Sequence, residues 1–302
     1  MSRFPVPLPR RHSPGRSVDP RRQAFGGGQR SSFKTRLIIA AAIAIFALVS
    51  YYGRPGDENQ ITGEVQRVAL NNEADEVVMG LQAAPEMVQM HGGPSRDRDA
   101  QATVTRIGNE LLGGLDKQLA ADGRSNPYRG DFKFTLLADP KTVNAFALPG
   151  GQVFITTALF RELKTDGQRA GVLGHEIGHV IERHGNQRMA QNQLFQGLAA
   201  AGGVAGGDQQ SAQMAQAVAQ MVQMTYGRGD ELESDKWGVR LTYLAGYDPR
   251  AMIGVMEVLE RAGGAGPPEF FSTHPKPANR VAYIKDVIVQ EFPDGVPGGL
   301  KQ

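Results

Sequence analysis

The stretch His175-Glu176-Ile177-Gly178-His179 constrains this chain more than any other. Its neighbours Ala170, Val172, Leu173, Ile177, Val180 and Ile181 recur at helical spacing, so the pentapeptide belongs to an apolar helix. Imidazoles four residues apart on a helix lie about 40° apart on one face, one turn above each other. Burying two of them with a carboxylate is costly unless they converge on something. The spacing suits one Zn²⁺ about 2.0–2.1 Å from each ring nitrogen, with Glu176 beside it to take a proton from a metal-bound water. A water-activating site needs a third protein ligand and leaves the fourth position open. The fold must therefore bury this helix and bring one more ligand to it.

The metzincin arrangement requires Gly three residues after the second His and a third His three residues further on. Those places hold Glu182 and Gly185, and His184 stands one residue out of register, so that class is rejected. The other solution draws a carboxylate from a later helix, and Glu231-Leu232-Glu233-Ser234-Asp235 offers it. Glu231 and Asp235 are spaced i, i+4 and share a face. One can bind metal while the other accepts the distal N–H of a ligand imidazole. Glu233 points about 160° away from that pair.

The flanking sequence sets the setting of this site. Residues 1–36 are rich in Pro, Gly, Ser and Arg, hold nine of the 33 basic residues and one acidic residue, Asp19, and read as a disordered basic tail. The remainder has 24 basic and 30 acidic residues, a net of −6, which argues against a nucleic-acid binder. Leu37 to Tyr52 is an unbroken apolar run, roughly 24 Å as a helix, flanked by Arg36, Tyr51 and Tyr52. It reads as a transmembrane signal anchor rather than a cleaved leader, because Leu48 and Tyr51 occupy places where a cleavage site needs small residues. With the basic tail kept inside, the body is exported. The chain has no cysteine, which excludes thiolate metal sites, disulfides, a cysteine nucleophile and a lipid-modified cysteine anchor.

Residues 53–65 read as a linker. Helices are expected from Glu73 to about Met90 and from Asp97 to Ala121, then strands at Phe132–Leu136, Asn144–Leu148 and Gln152–Thr156, the last two forming a hairpin around Pro149-Gly150-Gly151. The motif helix should open at Asp166 or Gly167 and end at Gly185. Residues 186–224 should form two helices around a Gly-rich bend at Gly202–Asp208. Further helices follow from Asp230, from Pro249 and from about Ala278. The small sheet could present an edge to an extended peptide.

HEIGH and ELESD, together with NAFALPGGQVFIT (Asn144–Thr156) and Ser272-Thr273-His274-Pro275, resemble the HtpX/BepA-type zinc metallopeptidases, relatives of the CAAX prenyl proteases. The resemblance runs from about residue 66 to 290, with four segments in the family's order; Ser234 stands where Ala is usual. It implies an α+β, mostly helical, zincin-like (gluzincin) domain with about three strands, behind one N-terminal transmembrane helix. It implies one Zn²⁺ per chain on His175, His179 and Glu231, Glu176 as general base, and Asp235 behind a ligand. It implies His274 near the metal, stabilising the oxyanion or gating the site, and Arg280 shaping the same region. Substrate backbone is expected on Gln152, Val153, Phe154 and Ile155. The expected organisation is a cytoplasmic tail (1–36), an anchor (37–52), a linker (53–65) and a metallopeptidase domain (66–302). The expected place is a bacterial inner membrane, crossed once, with the domain in the periplasm. The expected substrates are unfolded or misassembled envelope proteins. The rival reading is an envelope chaperone or assembly factor with a structural or latent zinc site.

Overall fold

In the computed structural model, residues 33–210, 212–213, 227–262, 270–274 and 279–302 are described. The tail before residue 33 and Pro275 lie outside them. Helix α1 (Phe33–Tyr52) carries the apolar run and is, among the described residues, the one helix long and apolar enough to cross a membrane. Two short strands follow, β1 (Asp57–Glu58) and β2 (Val65–Gln66), paired antiparallel. The stretch expected to be a linker is thus ordered. Its Asn59 is buried and donates through Nδ2 to the Ile181 carbonyl at 2.7 Å, seating the ladder on the end of the motif helix.

Helices α2 (Glu73–Met90) and α3 (Arg98–Ala121) begin where Asn72 and Asp97 cap them. Strands β3 (Lys133–Leu137), β4 (Ala145–Leu148) and β5 (Gln152–Thr156) form a sheet in the order β3-β5-β4. The hairpin is present, with Phe146 opposite Phe154, but β5 also pairs in parallel with β3, Thr135 opposite Phe154. Val153 and Ile155 face the main core, while Phe154 packs with Leu137 and Phe146 against Ala84, Met87 and Val88 of α2.

After the short α4 (Thr157–Glu162), Thr165 and Gln168 form a capping box that opens α5 (Asp166–Ile181), the motif helix. Helix α5 lies in the centre of the domain, buried without interruption from Ala170 to Ile181. It ends at Ile181, earlier than the expected Gly185, because Arg183 takes the left-handed conformation at φ 57°. Helix α6 (His184–Gly206) starts at once and continues through Gly202 and Gly203, breaking at Gly207-Asp208 within the expected bend; most of the expected second helix, to residue 224, lies outside the described residues. Helices α7 (Arg228–Leu244), α8 (Ala251–Ala262), α9 (Phe270–Thr273) and α10 (Arg280–Glu291) follow among the described residues.

The α5–α7 packing builds the site. A β-carbon on Gly178 would stand 2.9 Å from Cβ of Trp237 and 3.1 Å from Cα of Ser234, and one on Gly174 would stand 3.3 Å from Cα of Gly238. Glycine at these positions lets the two helices approach closely enough for α7 side chains to reach the α5 histidines.

Candidate metal centre

His175 and His179 project from α5 with their Nε2 atoms 3.1 Å apart. From α7, Glu231 brings Oε2 to 3.7 Å from His175 Nε2 and Oε1 to 3.5 Å from His179 Nε2. A tetrahedral ion bound at about 2.0–2.2 Å sets its ligand atoms roughly 3.3–3.5 Å apart. The three donors therefore converge as zinc ligands do, and the donor set, two imidazoles and a carboxylate, is one that zinc accepts. His274, just after α9, joins them: its Nδ1 is 3.0 Å from Glu231 Oε1 and 3.5 Å from His175 Nε2, and all four donors lie within 4.8 Å of one another.

Every member of this group is at most 3% exposed. Burial holds His179 well below its ordinary pKa, so it is neutral, as a ligand must be. Burial pushes Glu231 up, but the charge of His274 and hydrogen bonds to His179 and His274 outweigh it and hold the carboxylate well below the usual range. For His274, burial acts downward and the Glu231 and Glu176 carboxylates reverse it, raising the pKa.

Glu176 follows the first ligand on the same helix. Burial raises its pKa, offset only in part by His274 and His175, and neither carboxylate oxygen has a hydrogen-bond partner. Oε1 lies 3.6 Å from His274 Nε2. A buried carboxylate left without a hydrogen-bonding partner is unstable unless a further polar group, such as a water or substrate, completes it.

Two carboxylates set the imidazoles from behind. Asp235 Oδ1 is 3.0 Å from His175 Nδ1, in contact but off the hydrogen-bond axis, and favours a proton on that nitrogen. Asp235 is itself gripped by Arg280, whose Nε and Nη2 donate at 2.8 and 2.6 Å. Burial alone would raise Asp235; Arg280 and His175 lower it. Arg280 Nη1 reaches Glu231 Oε2 at 3.1 Å, so one guanidinium braces a candidate ligand and the group behind another.

His179 is set by a longer chain that the sequence reading missed. His184 Nε2 is 3.0 Å from Glu233 Oε2, and His184 Nδ1 is 3.0 Å from His179 Nδ1, with the Ser234 hydroxyl 3.3 Å from the same Nδ1. The acceptor-only carboxylate fixes the His184 proton on Nε2. Nδ1 of His184 is then a lone pair, which accepts from Nδ1–H of His179. That leaves the Nε2 lone pair of His179 facing the cluster. Both residues stood in plain view in the sequence, His184 as a failed metzincin ligand and Glu233 as an outward carboxylate. Their meeting depends on the left-handed turn at Arg183 and the close α7 approach.

The expected peptide strand needs correction. Gln152, Val153, Phe154 and Ile155 lie in the middle of the sheet, hydrogen-bonded to β3 on one side and β4 on the other, so their backbone is not available to a peptide. The outer strand nearest the motif helix is β4. Thr156 donates to the Asn144 carbonyl, so the ladder alternation turns the N–H and C=O groups of Ala145 and Ala147 outward. Ala147 and Leu148 share a small cleft with His179.

The sequence profile of Peptidase family M48 matches residues 101–288, more than half of the chain. The mitochondrial metalloendopeptidase OMA1 of Arabidopsis thaliana is 32% identical over 165 residues, 52% of this chain and 32% of that protein. The beta-barrel assembly-enhancing protease of Escherichia coli (strain K12) is 32% identical over 180 residues, 52% of this chain and 34% of that protein. The metalloprotease LoiP of the same strain is 27% identical over 196 residues, 63% of this chain and 76% of that protein. The chain thus spans about a third of the length of the first two relatives.

Proposed function

The chain belongs to peptidase family M48, and on that premise we propose that it is a zinc-dependent endopeptidase acting on unfolded or misassembled envelope proteins. The observation that carries this reading is the convergence of His175, His179 and Glu231 beside the buried, hydrogen-bond-free Glu176 carboxylate. His175, His179 and Glu231 hold one zinc per chain, with Asp235 and Arg280 fixing them. Zinc, when bound, makes water acidic near neutral pH and polarises the scissile carbonyl. Glu176 takes the proton of the attacking water and returns it to the leaving amine, a task suited to a carboxyl whose pKa burial has raised. The substrate lies along the end of β4, hydrogen-bonded to the partly exposed Ala147, and selection by backbone tolerates many side chains. Helix α1 anchors the chain in a bacterial inner membrane with the metal centre in the periplasm, in keeping with its apolar length and the basic tail before it.

The test is cleavage of casein by full-length protein in detergent. Cleavage should stop with a zinc chelator and return with added zinc. Persistence of cleavage at full rate after metal is removed to background would refute the reading.

His184→Ala should lower zinc affinity by about 10–100-fold, and Glu233→Gln should have a smaller effect, because Glu233 is half exposed. Chelator competition checks both.

A second reading is favoured by His274. Its Nδ1 sits within the donor cluster, where it would take the fourth position that water needs. The protein would then be an assembly factor whose site is latent until His274 withdraws. His274→Ala should raise casein cleavage while zinc stays bound. If His274 instead stabilises the oxyanion, the rate falls by roughly 10²–10³-fold.

A further inference from the structure

Helix α6 leaves the metal centre and runs antiparallel along α1. Tyr51 lines a cavity with Ala190, Ala47 meets Gly197, and Arg36 reaches Gly207. A β-carbon on Gly197 would stand 2.6 Å from that of Ala47, and one on Gly207 would fall on the Arg36 guanidinium. The contact is made by small residues: the buried positions of α1 are Ala40 and Ala47, and those of α6 beyond Asn186 are Ala190, Leu194 and Ala201. Close approach through small residues is how helices associate where lipid removes the hydrophobic drive.

The second half of α6 has the matching composition. Between Arg188 and Arg228 the one charged residue is Asp208, where the chain's 21% charge would give roughly eight. Gly197 to Gly206 holds no polar side chain, and Asp208 falls just past the end of the helix. From Ala190 to Gly207 the helix rises about 26 Å, against about 23 Å for α1 from Arg36 to Tyr51. The two helices therefore share both ends. Ile45, Phe46 and Val49 of α1 and Phe195 of α6 are exposed apolar side chains.

We infer that α6 is a second membrane crossing, with lipid acyl chains as the partner of its outer face and Asp208 on the same side of the bilayer as the N-terminal tail; because α7 packs on α5, the chain must cross back between Asp208 and Gly227. This rests on α1 being the anchor: a helix packed along an embedded one over its whole length shares its depth. Helix α6 alone is too weakly apolar to pass as a span; its insertion depends on α1. His184, its first residue, supports a zinc ligand, so the metal centre is joined rigidly to an element in the bilayer.

The absence of native cysteine makes the test direct. Single substitutions Ser31→Cys, Glu64→Cys and Gln209→Cys in the full chain are exposed to a membrane-impermeant maleimide in spheroplasts of a bacterial host. Glu64→Cys should label in intact spheroplasts, whereas Gln209→Cys and Ser31→Cys should label only after permeabilisation. Labelling of Gln209→Cys in intact cells, with Ser31→Cys protected, overturns the second crossing and leaves the anchor standing. So does failure of Gln209→Cys to label after permeabilisation. Labelling of Ser31→Cys in intact cells removes the anchor itself and the crossing with it.

Discussion

Glu176→Gln should retain zinc near one per chain and lower the rate of casein cleavage by about 10²–10⁴-fold, the usual contribution of a positioned general base. The amide matches the carboxylate in shape, so α5 and the three zinc donors should keep their geometry. The variant should be at least as stable as the parent, because it removes a buried carboxylate that has no hydrogen bond in the folded protein. Metal analysis, thermal melting and single-turnover cleavage separate these effects. Parental cleavage rates in a zinc-loaded Glu176→Gln protein would transfer the base role elsewhere. If the variant also restores every defect of a deletion strain, the assembly-factor reading takes precedence over proteolysis.

The parts of the site that could be read from sequence are those that one helix encodes alone. His175 and His179 share a face through their spacing, and Glu231 and Asp235 do the same, wherever the two helices pack. Resemblance was needed to say which carboxylate binds metal, because spacing treats both alike. Arg280 and His274 were also recognised by resemblance. What stayed hidden required two elements to meet. Helix α7 brings Glu233 to His184 only because Gly178 and Gly174 admit it closely. The hairpin was plain from Pro149-Gly150-Gly151, yet its outer strand was misassigned because the parallel β3–β5 pairing is non-local. Residues 53–65 have the Gly and Pro content of a linker, and one buried amide, Asn59, ties them to α5. Gly185 looked like the helix stop; the chain turned two residues earlier, at an arginine.

That arginine carries the largest expected stability effect. Arg183 is 2% exposed and left-handed, and it joins three segments: Nε donates to Glu76 at 2.7 Å, Nη2 to the Leu70 carbonyl at 2.9 Å, and Nη1 to Asp57. Glu76, as buried, is also held by Asn186 and Tyr128. Arg183→Met leaves a buried carboxylate without its cation, which costs about 3–5 kcal/mol. At about 2–4 °C per kcal/mol for a domain of this size, the melting temperature should fall by about 6–20 °C. Adding Glu76→Gln should recover part of the loss, since the orphaned charge goes with it. The pH dependence has a definite sign. Burial already raises the Glu76 pKa, and loss of Arg183 raises it further, so the folded variant binds a proton that the unfolded chain releases. Its stability must then fall as pH rises through that pKa, and the deficit against the parent should be larger at pH 8 than at pH 5. A deficit that does not change with pH would mean that Arg183 acts through its left-handed turn and packing rather than through its charge on Glu76.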